Sequence, residues 1–279
     1  MTVFDFRQVD VFAGERLKGN PLAVVIGADG LSDDTMAAFA NWTNLSETTF
    51  LLKPTLPEAD YRLRIFTPTG ELPFAGHPTL GSCHVWLSLG HTPRQEHVVQ
   101  QCGAGLVRIK RDATRLAFAA PPLLRTGAVE AHLLEQIATG LRIGPEDIKA
   151  SQWIDNGPGW VAVLLASRAE VLALQPDHAA LGDLKLGVIA PWNATRDGTE
   201  AAFEVRAFIA PRASEDPVTG SLNAGLAQWL IAAGLAPATY IARQGTVLGR
   251  AGRVHVISDG GDIWIGGEIT ICIEGRLTL

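Results

Sequence analysis

The chain opens on strand-like alternation. Val3, Phe4, Phe6, Val9 and Val11 recur among polar residues between Thr2 and Phe12, which predicts a half-buried strand. Gly19-Asn20-Pro21 marks a turn, and Leu22 to Ile26 reads as a short apolar strand. Ser32, followed by Asp33 and Asp34, has the form of an N-cap with an acidic first turn, and predicts a helix to about Trp42. Strands are expected at 48–52 and 61–66, the second with Arg62 and Arg64 on its wet face. Gly76-His77-Pro78 precedes a helix over 79–89 that Gly90 ends. Short strands follow at about 96–101, 105–110 and 114–119, and the stretch 119–127 (AAPPLLRTG) reads as a linker.

Beyond the linker the pattern resumes. A helix is expected near 129–140, strands near 152–165, 185–191 and 202–209, and a helix over 221–233 that Gly234 ends. The tail, 253–279, is strand after strand, with tight turns expected at Gly260-Gly261 and Gly266-Gly267. The halves echo each other. At an offset of 143 residues Trp86-Leu87 meets Trp229-Leu230, Pro68 meets Pro211, and Ile65-Phe66 meets Phe208-Ile209. Each half reads strand, proline, acidic loop, glycine, then a helix carrying Trp-Leu and ending in glycine. A duplication of this kind predicts two similar domains facing each other, with the cleft between them as the default ligand site. The domain bounds expected from this reading are 1–120 and 128–269.

Composition narrows the class. A chain of 279 residues suits two domains of ordinary size, and 47% apolar with 19% charged residues can bury a real core. The net charge of −6 speaks against non-specific nucleic-acid binding, while a small anionic ligand can still be held by backbone donors. No apolar run reaches the roughly 18–20 residues of a membrane span, and no signal peptide is read at Met1. Cys83, Cys102 and Cys272 are odd in number and far apart, which argues against a disulfide framework and fits a reducing cytoplasm. A homodimer is the base-rate expectation.

The chemistry-bearing segments are three. Nucleotide-binding glycine loops and a Gly-x-Ser-x-Gly elbow are absent. His77, His84 and His91 are seven apart, but Gly90 separates His91 from the helix and no carboxylate sits at ligand spacing, so neither a metal nor a cofactor is expected. The first segment, 67–79, sets Gly76, His77 and Pro78 at a helix start, where unpaired N–H groups and the helix dipole attract an anion. The second, 211–225, sets Asp216, Thr219, Gly220 and Ser221 at the start of the matching helix. Each has an ordinary reading: a structural histidine, a turn aspartate, Ser221 as N-cap. Two polar helix starts at matching places would together grip a carboxylate. The third segment is Asn44-Leu45-Ser46-Glu47-Thr48-Thr49-Phe50. Glu47 there is either a solvated surface acid or, in a dry cleft, a carboxyl group with a raised pKa that can take a proton from carbon and return it.

Together these segments resemble the PhzF family, named for an isomerase of phenazine biosynthesis. The resemblance rests on Gly19-Asn20-Pro21-Leu22-Ala23-Val24, residues 44–50, Arg64-Ile65-Phe66-Thr67-Pro68, residues 71–78 and residues 215–221, in family order, with weaker support from Asn156-Gly157-Pro158 and Pro176-Asp177-His178. It implies an α+β, diaminopimelate-epimerase-like fold. Two similar, pseudo-twofold-related domains would each wrap a curved, mostly antiparallel sheet around a central helix, and the strand near 270–279 would return to the first domain.

By the same resemblance Glu47 is the acid/base. His77 and Asp216 hold or protonate the polar groups of a small carboxylate substrate, and Gly76, Gly220 and Ser221 bind its carboxylate. The implied reaction is a proton shift on a cyclic amino-hydroxy acid such as trans-2,3-dihydro-3-hydroxyanthranilate. Two alternatives stand beside it: an amino-acid racemase or epimerase of the same fold, and a small-molecule binding protein without turnover. The racemases that use two thiols place a cysteine beside the glycines of each helix start, and residues 72–78 and 216–221 contain none. Leu222-Asn223-Ala224 departs from the small residues of the phenazine enzyme. Trp153, Trp160 and Trp192 could reshape a pocket or fill a core.

Overall fold

The computed structural model describes residues 2–279 except Ala113. It divides into two compact units, residues 1–119 with 266–279, and residues 120–265. No helix among the described residues is long and apolar enough to cross a membrane.

In the first unit β1 (Val3–Val11) pairs antiparallel with β2 (Asn20–Ile26). Helix α1 (Asp33–Thr43) begins where the Ser32 hydroxyl accepts the Thr35 N–H, and it stops at Asn44 in the left-handed region, φ 54°. Strand β3 (Thr48–Leu52) runs parallel to β2, and β4 (Tyr61–Thr67) returns antiparallel to β3 before folding into the short β5 (Gly70–Leu72). Helix α2 (Gly76–Ser88) follows, then β6 (Val98–Cys102) parallel to β4, β7 (Gly105–Asp112) and β8 (Arg115–Ala119).

In the second unit β9 (Arg125–Gly127) lies within the stretch expected to be a linker, and it pairs with a later strand. After α3 (Ala131–Leu141) come β10 (Ala150–Asp155), β11 (Trp160–Leu164), α4 (Arg168–Ala173), α5 (His178–Leu181) and β12 (Lys185–Pro191). Then follow α6 (Ala194–Asp197), β13 (Phe203–Ile209), β14 (Ser214–Asp216), α7 (Gly220–Ala232), β15 (Thr239–Gln244) and β16 (Gly252–Asp259). The last strand, β17 (Asp262–Thr278), spans the boundary, and its residues from Ile269 to Thr278 pair with β1.

In the first unit the pairings run β17-β1-β2-β3-β4-β6-β7-β8 and back to β17, and α2 packs against β1, β2, β3, β4, β6 and β8. All residues from Gly76 to Cys83 are buried, as a helix enclosed by strands requires. Helix α1 covers the outer face through Met36, Phe39 and Ala40, against Phe50 and Phe66. The second unit repeats the plan: β10 and β11 antiparallel, β11 and β12 parallel, β12 and β13 antiparallel, β13 and β15 parallel, with α7 against β10, β11 and β16. Its outer layer is α3, α4 and α5, packed through Ile137, Leu141, Val171 and Leu181.

The repeat is real in topology, but its register differs from the sequence match. Phe66 faces Glu71 across β4–β5, and Phe208 faces Glu215 across β13–β14, so Phe66 corresponds to Phe208, 142 residues on. Gly76 and Gly220, the first residues of the two central helices, are 144 apart. A longer β13–β14 connection, with a 3-10 turn over Ala210–Arg212, absorbs the difference. Each copy carries the same device. Arg64 pairs with Glu71 at 2.7 Å and lies over Phe66, and Arg206 pairs with Glu215 at 2.8 Å and lies over Phe208.

A second expectation fails at Gly266-Gly267. Gly260 and Gly261 do turn the chain, with φ +62° and +95°, but Gly266 and Gly267 lie inside β17. A Cβ on Gly266 would sit 2.7 Å from the Leu116 carbonyl oxygen, so the glycine there permits close approach of β8.

Candidate functional site

Glu47 owes its place to three local events. α1 ends at Asn44, the chain reverses over Leu45-Ser46, and β3 begins at Thr48, pinned between Ala23 and Phe66. The Thr48 hydroxyl is tied to that of Thr43 at 2.9 Å, which fixes the corner. Glu47 is therefore the last residue before a fully paired strand. Its side chain is only 15% exposed, with Oε2 3.3 Å from Nε2 of His77.

His77 is the second residue of α2, and its side chain is 4% exposed. The N-cap residue, Ala75, has no side chain that can cap the first turn. The helix begins three residues before its sequence-predicted start, so Gly76, His77 and Pro78 form its first turn. Burial lowers the His77 pKa to about 3, so the ring is neutral at neutral pH. Its Nδ1 lies 3.3 Å from the side-chain nitrogen of Asn20, the fully buried first residue of β2. The Ser46 hydroxyl donates to the Asn20 side-chain amide oxygen at 3.2 Å, and the buried Asp10 carboxylate accepts the N–H groups of Lys18 and Gly19, each at 2.9 Å. The loop before β2 is thus held from below, and the segment before β3 is held to it.

In the second unit Asp216 ends β14 and α7 begins at Gly220. The N-cap is Thr219, and Ser221 is the second helical residue. Thr219 does not cap, because its hydroxyl donates to Asp216 Oδ2 at 2.6 Å and accepts from Gln244 Nε2 at 2.9 Å. Gln244, fully buried, also donates to the Asp216 carbonyl and accepts from the Thr219 N–H and the Asn223 side chain. The first turn of α7 consequently presents the Gly220 and Ser221 N–H groups with no side-chain cap, the arrangement that suits a carboxylate. The Ser221 hydroxyl accepts from the Trp160 indole at 3.0 Å, and the Ser221 carbonyl accepts from Asn156 Nδ2 at 2.9 Å.

Glu47, His77 and Gly76 are thus brought together in the first unit, and Asp216, Gly220 and Ser221 in the second. The sequence had given no role to Gln244, had left Trp160 between pocket and core, and had read Asn20 as a turn residue within a family motif. The burial of Asn20 and its side-chain contacts with His77 and Ser46 show a polar task. Asn223 is structural, with its side chain in the Thr219–Gln244 network, and Leu222 packs against Gly187. Trp160 touches Ser221, whereas Trp153 and Trp192 are fastened to Glu130 and Glu204. Cys83 is buried inside α2 with its thiol pKa pushed up to about 12 by desolvation, the state of an inert core thiol.

Comparison with known proteins identifies the family. The family whose sequence model matches residues 9–274 is PhzC-PhzF, phenazine biosynthesis-like protein. Antisense-enhancing sequence 1 of Schizosaccharomyces pombe is 36% identical across 99% of each chain. The trans-2,3-dihydro-3-hydroxyanthranilate isomerase of Pseudomonas aeruginosa is 33% identical across 97% of this chain and 98% of its own. A crystal structure of a PhzF-family phenazine biosynthesis protein from Enterococcus faecalis covers 100% of both chains with a TM-score of 0.82 at 26% identity. With its mixed α+β fold and a family match over nearly its whole length, the chain belongs to the PhzC-PhzF family and is an isomerase of that family.

Proposed function

We propose that the chain shifts a proton between two carbons of a small cyclic amino/hydroxy carboxylic acid, of the kind represented by trans-2,3-dihydro-3-hydroxyanthranilate. Acid/base catalysis by its own side chains carries the reaction. The observation that carries this reading is the sheltered Glu47 carboxyl held 3.3 Å from a buried, neutral His77. Glu47 takes the proton from carbon: a C–H bond breaks, an O–H bond forms, and the electron pair enters the conjugated system of the substrate. Glu47 then returns the proton to a different carbon. The charge that develops in between is stabilised by first-turn N–H groups whose positions are set by their helices and need little reorganisation.

In the first unit Gly76 offers a carboxylate the uncapped first turn of α2, beside His77, which holds or protonates a polar group. In the second unit Gly220 and Ser221 offer the uncapped first turn of α7, beside Asp216, which has the same part. The racemase reading is disfavoured by the inert Cys83 and by helix starts that contain no thiol.

The test is to incubate the purified protein in D2O with trans-2,3-dihydro-3-hydroxyanthranilate and related cyclic amino-hydroxy acids. Products are followed by NMR and mass spectrometry. The expected result is an isomer carrying deuterium at the newly protonated carbon, with Glu47→Gln slower by about 10²–10⁴-fold. A substrate that stabilises the protein while Glu47→Gln leaves any turnover unchanged would overturn the role of Glu47 and favour a binding protein.

A further inference from the structure

One contact of His77 bears on where its single ring proton sits. Neutral imidazole has one N–H and one bare nitrogen, and a hydrogen-bond partner that only donates accepts only one arrangement. Nδ1 faces the Asn20 side-chain nitrogen at 3.3 Å, and an amide NH2 only donates, so Nδ1 must be bare and Nε2 must carry the proton. Nε2 lies 3.3 Å from Glu47 Oε2, an approach without hydrogen-bond geometry that does not itself choose the tautomer. The amide is itself oriented by the Ser46 hydroxyl on its oxygen, and its backbone is fixed by the Asp10 carboxylate beneath Gly19.

We infer that Asn20 is a positioning residue that fixes His77 as the Nε2–H tautomer, so that the ring nitrogen nearest Glu47 already carries a proton and cannot receive one from it. The catalytic consequence rests on the proton-shift reading above. A bare imidazole nitrogen facing a general base would offer its proton a second place to go. Here the facing nitrogen is already protonated, and a second ring proton is opposed by burial. The proton taken from carbon therefore stays on the Glu47 carboxyl until carbon takes it back.

The experiment reads the tautomer directly. The protein, labelled with 15N in its seven histidines, is examined by long-range 1H–15N correlation at pH 7, and His77→Gln identifies the His77 signals. The expected pattern is a protonated Nε2 and a bare Nδ1. A proton on Nδ1, or on both nitrogens, overturns the inference. Asn20→Asp, whose side chain only accepts, is expected to move the proton to Nδ1 and to lower kcat by about tenfold or more with KM little changed. Asn20→Asp that keeps the Nε2–H tautomer would show that Asn20 does not set it. The two readings fail separately. If the tautomer is as expected but Glu47→Gln is fully active, the proton shuttle falls and the positioning contact stands. If Glu47→Gln is inactive but the proton is on Nδ1, only the present inference falls.

Discussion

Gly225→Ala is a substitution whose sign is set by packing rather than by helix propensity. Gly81 and Gly225 are each the sixth residue of their central helix, α2 and α7. Propensity alone favours alanine at either site by about 1 kcal/mol. A Cβ on Gly225 would lie 2.5 Å from the Ile154 carbonyl oxygen and 3.1 Å from the Ile154 Cβ. Ile154 sits in β10, whose register against β9 and β11 fixes that oxygen, so the helix must move instead. Overpacking of this kind costs about 1–3 kcal/mol, and against a backbone atom it falls at the upper end, leaving a net loss near 2 kcal/mol.

At Gly81 the nearest atoms are side-chain methyl groups, Leu22 Cδ2 at 2.6 Å, Val9 Cγ2 at 2.9 Å and Val11 Cγ2 at 3.0 Å. Leu22 can change rotamer, so Gly81→Ala is expected to lose about 1 kcal/mol or less by the same balance. Gly225→Ala also pushes the start of α7, whose Ser221 carbonyl is held by Asn156 two residues beyond Ile154. Urea unfolding followed by tryptophan fluorescence gives the comparison, read on the transition of the second unit if the two melt apart. A Gly225→Ala protein as stable as wild type, or more stable than Gly81→Ala, would refute the close approach of α7 to β10.

The duplicated arginines are expected to differ. Arg206 is 4% exposed, paired with Glu215 at 9%, and donates to the Val171 and Leu174 carbonyls, so Arg206→Ala strands a buried carboxylate and should cost about 3–5 kcal/mol in thermal or urea unfolding. Arg64→Ala, whose partners Glu71 and Asp33 are 41% and 79% exposed, should cost about 1 kcal/mol or less, and equal losses would contradict the difference in burial. His77 makes the fold acid-sensitive. Its pKa is about 3 when folded and 6.5 by its ordinary value, so between these the unfolded chain binds more protons. Stability present above pH 6.5 therefore falls toward pH 3, by up to about 1.4 kcal/mol per unit. His77→Gln should flatten that part of the profile, and superimposable acid-unfolding curves would count against a buried neutral ring.

Some of this protein is written in short stretches of chain. The alternation of Val3–Val11, the Ser32 cap with its two aspartates, and the Thr48–Leu52 strand are local signals, and the structure has the matching elements. The contiguous blocks of the family resemblance also named Glu47 and His77, which the structure brings to within 3.3 Å of each other. What failed was the meaning of features whose cause lies elsewhere in the chain. Gly266 reads as a turn residue until the Leu116 carbonyl beside it is known. The repeat reads as one fixed offset until the ladders show Phe66 matched to Phe208 and the helices shifted by two residues more.

The sequence by itself determined the period of its strands, the caps of its helices and the kinds of side chain available for chemistry. Each of those depends on neighbours within a few residues. Only the tertiary structure decided that Asn20, 57 residues from His77, faces its ring, and that Gln244 closes the network around Asp216. Hydrogen-bond partners and burial are set by which strands the fold makes adjacent. That adjacency is a property of the whole packed chain, and no window of sequence contains it.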